Sequence, residues 1–111
     1  PHLPAALPGG ELLRAMARET ISMVNDSVTA YVRKDVALAE RVIAADDTVD
    51  DYFDRVKRSL ISSVARGDSD GEGTLDILMV AKYFERIGDH ATNIAEWVEF
   101  SVTGVHKEET T

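Results

Sequence analysis

The 111-residue chain contains no cysteine. Disulfides and thiolate metal sites are therefore excluded, and the composition fits a reducing compartment such as the cytoplasm. Aromatic residues make up only 6% of the chain, so a core has to be built from Val, Ile, Leu, Ala and Met. All three prolines fall within residues 1–8, which leaves the rest of the chain without proline breaks. Basic residues are also scarce: 12 Lys plus Arg face 20 acids, for a formal charge of −8. Such a surface repels phosphodiester backbones, which argues against a nucleic-acid partner and for cations or basic surfaces instead. No apolar run approaches the roughly 20 residues that cross a bilayer, so no membrane insertion is expected. The opening "PHLPAALPGG" has no basic segment ahead of an apolar core and does not read as a signal peptide.

What is present is helical periodicity. Residues 1–10 read as a linker or irregular arm. From Glu11 onward, Leu12, Met16, Thr20, Met23, Ser27 and Tyr31 recur every three or four residues, which predicts a helix over about 11–33. Lys34 and Asp35 form a tight turn, with Asp35 as N-cap of a second helix over about 36–66. Its stripe is Ala39, Val42, Val49, Phe53, Val56, Leu60 and Val64, and Gly67 suits the position after its end. Ser69 and Glu72 offer a capping box for a third helix over about 73–103. Ile77, Val80, Phe84, Ile87, Ala91, Ile94 and Val98 form its stripe, flanked by the small residues Ala81, Gly88 and Ala95. Residues 106–111 read as a frayed tail. Helices of 30 residues are roughly 45 Å long. Short turns make consecutive helices antiparallel, so the expected fold is all-α: an elongated up-down-up three-helix bundle occupying residues 11–105.

Acids are concentrated on two of these helices. The second contains "DDTVDDYFD", with Asp46, Asp47, Asp50, Asp51 and Asp54; the third carries Glu85 and Asp89. Residues four apart share a helix face, and like charges so placed cost a few tenths of a kcal/mol per pair. A bound cation would offset that repulsion, and carboxylate oxygens suit Mg, Mn, Ca or iron. On a helical wheel these acids flank the apolar stripes, with Asp46 closest to its stripe and most in need of a partner. Spacing alone favours a solvated face, since Arg55, Lys82 and Arg86 are near enough to pair with some of the acids. No glycine-rich phosphate loop, nucleophile constellation or Glu-x-x-His pair is present, so an enzyme is not expected. Trp97 and Phe100 lie away from the apolar stripe and, with His90, Tyr83 and Ile94, form a second line on the third helix. Either a wide core envelops them or they form a contact surface.

The segments "LDILMVAKYFERIGDHATNIAEWVEFSVTG" (75–104), "DVALAERVIAADDTVDDYFDRVK" (35–57) and "MARETISMVNDSVTAYVRKD" (16–35) resemble the three helices of a PhoU-type repeat. The resemblance spans roughly residues 12–106 and is similar to the C-terminal repeat of a two-repeat protein, with the up-down-up course also seen in spectrin-like repeats. It implies a metal-binding helical adaptor that negatively regulates phosphate uptake and the phosphate-starvation response in the cytoplasm. The partners it implies are the phosphate ABC transporter ATPase and a membrane sensor histidine kinase. The alternative it allows is a regulatory domain from the cytoplasmic tail of a sodium–phosphate cotransporter. Glu85-x-x-x-Asp89 matches the family's acidic motif directly. On the second helix the match is Asp46-x-x-x-Asp50 or Asp47-x-x-Asp50, with Asp51 and Asp54 nearby. The ions implied are divalent or iron: Fe, Zn, Mn, Mg, Ca or Ni. Because only one repeat is present, Trp97, Phe100 and His90 are expected to meet a second repeat or a second copy, as in a dimer.

Overall fold

The computed structural model describes residues 9–67 and 71–104, which form three helices. The arm at residues 1–8, the Ser69 half of the capping box and the tail at 106–111 lie outside the described residues. Helix α1 spans Gly10–Arg33, α2 spans Val36–Ala65 and α3 spans Gly71–Thr103. Each packs against both others, as the up-down-up bundle requires. The envelope is 53 × 31 × 17 Å with a radius of gyration of 16.7 Å. A compact sphere of this length has a radius of gyration of about 13 Å, so the molecule is a rod whose length is set by its helices.

The helix ends follow from local chemistry. Gly9, at φ 75°, precedes α1 and its carbonyl accepts from the Leu13 N–H at 2.8 Å. Lys34 closes α1 in the left-handed conformation at φ 55°, and the next N–H, that of Asp35, donates to the Ala30 carbonyl at 3.0 Å. Asp35 then caps α2: its carboxylate accepts from the Leu38 N–H at 3.0 Å, satisfying a donor that the helix itself leaves unpaired. Gly67 and Gly104 follow α2 and α3 in the left-handed region, where a residue without Cβ is unstrained.

The core runs along the rod axis. Met16 and Met23 from α1, Val42, Val49 and Val56 from α2, and Ala81, Ala91, Ala95 and Val98 from α3 are fully or almost fully buried. Burying one such large aliphatic side chain contributes about 1.5–3 kcal/mol. Thr20 and Ser27 are buried as well, and their hydroxyls donate to the Met16 and Val24 carbonyls of the same helix, each at 2.8 Å.

The stripes expected from periodicity are rotated in places. On α1, Leu13 rather than Leu12 is buried, and Ala30 takes the place expected for Tyr31, which is exposed. On α2, Ser63 is buried and Val64 is exposed. The largest correction falls on α3, where Val80 and Ile94 face outward and the flank Ala81, Gly88 and Ala95 faces the core. Packing explains this. A helix wedged between two neighbours approaches them most closely through its smallest side chains, and dense packing outweighs the extra apolar area of an isoleucine.

Candidate metal site

The rotation of α2 and α3 decides which acids meet. Val49 and Val56 fix the inward face of α2, which places Asp46 and Asp50 at its edge toward α3. Asp89 sits next to Gly88 on the facing edge of α3. One carboxylate oxygen from each of Asp46, Asp50 and Asp89 lies within 4.8 Å of the others. Octahedral oxygen ligands at about 2.1 Å from Mg²⁺ lie roughly 3 to 4.2 Å apart, and the longer Ca²⁺ bonds widen that range. The cluster therefore has the dimensions and the all-oxygen donor set that hard or borderline cations take.

Asp46 has the most distinctive surroundings of the three. It is half-buried, and its Oδ1 is enclosed without a hydrogen-bond partner among the described residues. Gly88 forms part of the wall: a Cβ built there would stand 3.6 Å from that oxygen and 3.6 Å from Val49 Cγ1. A sheltered carboxylate oxygen with no donor is costly, and a cation or a proton there would relieve that cost. Burial first, then the nearby Asp89 carboxylate, pushes the Asp46 carboxyl above its ordinary range. The Thr92 hydroxyl, on the same edge of α3, donates to the Gly88 carbonyl at 3.0 Å. Asp50 is pushed up to about 6, first by burial, then by a hydrogen bond shared with Glu85 and by the charges of Asp46, Glu85 and Asp89.

The remaining acids have other surroundings. Glu85 lies beside the cluster, with its side chain only 16% exposed, and is held by Lys82 at 2.7 Å. The Lys82 ammonium also sits 5.3 Å from the centre of the Phe53 ring, which steadies it over the α2–α3 groove. Asp51 faces Arg55 at 3.8 Å on an exposed surface. Asp47 and Asp54 are exposed, outside the group formed by Asp46, Asp50 and Asp89. Sequence reasoning missed Thr92 and the Gly88 wall. Thr92 stands three residues after Asp89, so helical spacing could have placed it on the same edge.

On the opposite side, Trp97 is 54% exposed and Tyr83 is 65% exposed, so the core does not envelop this line. His90 is exposed too, whereas Phe100 is half-buried, with its ring centre 5.4 Å from that of Trp97.

The described residues thus form an all-helical three-helix rod with an acidic cluster across two helices and an aromatic line on another side. The PhoU domain family matches residues 13–98, and the chain belongs to the PhoU family. It is 33% identical over 97 residues to phosphate-specific transport system accessory protein PhoU homolog 1 of Thermotoga maritima, covering 87% of this chain and 42% of that protein. It is 35% identical over 89 residues to the PhoU homologue of Clostridium acetobutylicum, covering 80% of this chain and 41% of that protein. With the Caulobacter vibrioides homologue it shares 34% over 92 residues, or 83% and 40% of the two lengths. The chain thus spans about two fifths of the length of the curated relatives it matches. No solved structure gives a significant match. Among the described residues no helix is long and apolar enough to cross a membrane.

Proposed function

We propose that this bundle is a non-catalytic, cation-binding module that regulates phosphate uptake, as part of an accessory protein of a phosphate-specific transport system. Its relatives' names support the system, and the acidic cluster supports the cation. The observation that carries the reading is the enclosed, unpartnered Oδ1 of Asp46 facing acids from a second helix. Asp46, Asp50 and Asp89 would hold the ion, and Glu85 would join them if released by Lys82. A divalent or iron cation there would neutralise the mutual repulsion of the carboxylates and bind α2 to α3. The adaptor role extends this reading: the module negatively regulates the phosphate-starvation response in the cytoplasm by contacting the transporter ATPase and a sensor histidine kinase.

The test is elemental analysis of protein purified without chelator or polyhistidine tag, with Asp46→Asn/Asp89→Asn alongside. Stoichiometric metal in the wild type, lost in the double variant, is the expected result. A wild type that stays metal-free after dialysis against Mg²⁺, Mn²⁺, Ca²⁺, Zn²⁺, Ni²⁺ and Fe²⁺ would refute the cation site. Pull-down of the transporter ATPase by the metal-loaded protein tests the adaptor role separately, and absence of capture would reject it.

A further inference from the structure

We propose that the α2–α3 seam, toward the end where α2 passes into α3, is a docking groove for an acidic amphipathic helix of a partner protein. Leu60, Ile61 and Val64 of α2 and Thr74 and Leu78 of α3 line an open groove of about 200 Å³, together with Lys57. Leu60 is buried beneath it, whereas Ile61 and Val64 are 61% and 53% exposed. Leu75, next to Thr74, extends the apolar surface and is exposed as well. From Lys57 to Val64 the groove follows about 10 Å of α2, the length of two helical turns. A groove between two helices takes a third through aliphatic side chains at i, i+3 or i+4, and i+7.

Charge selects the partner. Between Val36 and Asp54 the chain carries six acids and one arginine, but from Arg55 to Arg66 it carries four Lys or Arg and no acid. The positive part of α2 is thus the part that forms the groove. Where the groove meets the middle of the rod, the ammonium groups of Lys57 and Lys82 stand 5.8 and 5.3 Å from the centre of the Phe53 ring. Lys82 is held by Glu85, whereas Lys57 forms an ion pair with no acid among the described residues. Lys57 is therefore open to a carboxylate from outside. None of the residues lining the groove is acidic. Glu72 and Asp76 each stand two residues from Thr74, about 200° round α3, and turn away from it. A helix with a Glu or Asp one turn before its aliphatic residues matches both the ammonium and the apolar walls. An anionic bilayer or a second copy would bring a broad negative surface against a chain of charge −8, but a single helix enters the seam alone. Asp46, Asp50 and Asp89 do not line the groove, so this inference stands independently of the cation reading.

The probe is a fluorescein-labelled synthetic helix with leucines at i, i+3 and i+7 and glutamates one turn before them, beside a twin with lysine for each glutamate. Fluorescence anisotropy is followed as the whole chain is titrated in. The acidic helix is expected to bind saturably below about 1 mM and more weakly as salt rises, with the lysine twin weaker by about tenfold or more. Lys57→Glu and Ile61→Glu should each weaken binding of the acidic helix by about tenfold or more, with circular dichroism unchanged. Val28→Glu, at an exposed position on α1 outside this groove, should bind like the wild type. Absence of saturable binding, equal binding of the two helices, or undiminished binding by Ile61→Glu overturns the inference. Without helix binding, Ile61-dependent sedimentation with phosphatidylglycerol vesicles would assign the groove to a lipid surface, and Ile61-dependent self-association would assign it to a second copy; either overturns the inference too.

Discussion

Replacing Asp50 by Asn isolates the electrostatic strain of the acidic cluster. In the metal-free protein the Asp50 carboxyl is raised from an ordinary 3.8 to about 6. At 1.36 kcal/mol per pH unit, an unscreened penalty for ionised Asp50 at neutral pH would be about 3 kcal/mol. Asp50 lies at the edge of α2 with access to water, and screening there reduces the figure to about 1 kcal/mol. The sign follows from proton binding. Between about 3.8 and about 6 the folded chain holds a proton on Asp50 that the unfolded chain has lost. The associated stabilisation is complete below 3.8 and disappears as pH rises through about 6. Wild type in chelator should therefore melt higher near pH 4.5 than at pH 7. For a domain of this size, about 1 kcal/mol corresponds to roughly 4 °C or more. Asp50→Asn should gain about that much at pH 7 and flatten the pH profile, whereas Glu40→Gln, at an exposed position on the same helix, should keep the wild-type slope. Thermal melts followed by far-UV circular dichroism read all three. A wild type that loses stability steadily from pH 7 to about 4.5, with Asp50→Asn running parallel to it, would refute the reasoning.

Three further substitutions test the frame around the site. Lys34→Gly removes a Cβ from a left-handed residue at φ 55° and should stabilise the chain by about 0.5–1 kcal/mol in urea denaturation. Asp35→Ala deletes the cap on the Leu38 N–H and should cost about 1 kcal/mol by the same assay. Ser63→Ala should be neutral or stabilising by up to about 1 kcal/mol, because its buried hydroxyl has no hydrogen-bond partner among the described residues; a clear loss of melting temperature would show that the hydroxyl is satisfied after all.

The architecture was legible because it rests on local signals. Three-and-four spacing marks the helices, and the Asp35 cap depends on chemistry within a few residues of the chain. The exact inward face of α3 was not legible. Summing apolar residues points toward Val80 and Ile94, but close approach to two neighbours selects Ala81, Gly88 and Ala95, a steric fact that exists only once all three helices are together. The same rotation decides which acids meet. The family's acidic motif could be matched on α2 by Asp46 with Asp50 or by Asp47 with Asp50, and only the facing edge of α3 groups Asp46 and Asp50 with Asp89. The position of Asp46 nearest its stripe was visible from the wheel. The hold of Lys82 on Glu85 was foreseeable only as one of several possible ion pairs.

The placement of the carboxylates along the rod has a topological consequence. Asp50 lies about 22 Å along α2 from its last residue, Ala65, where the chain turns back toward α3. An ion shared by Asp50 and Asp89 would close a loop of 38 residues between them. It would act as a reversible cross-link at the middle of the α2–α3 hairpin, in a chain that has no cysteines from which to make a covalent one. Opening of that hairpin from its free end would then have to release the ion first, so amide exchange in its two halves would report on cation occupancy as well as on packing.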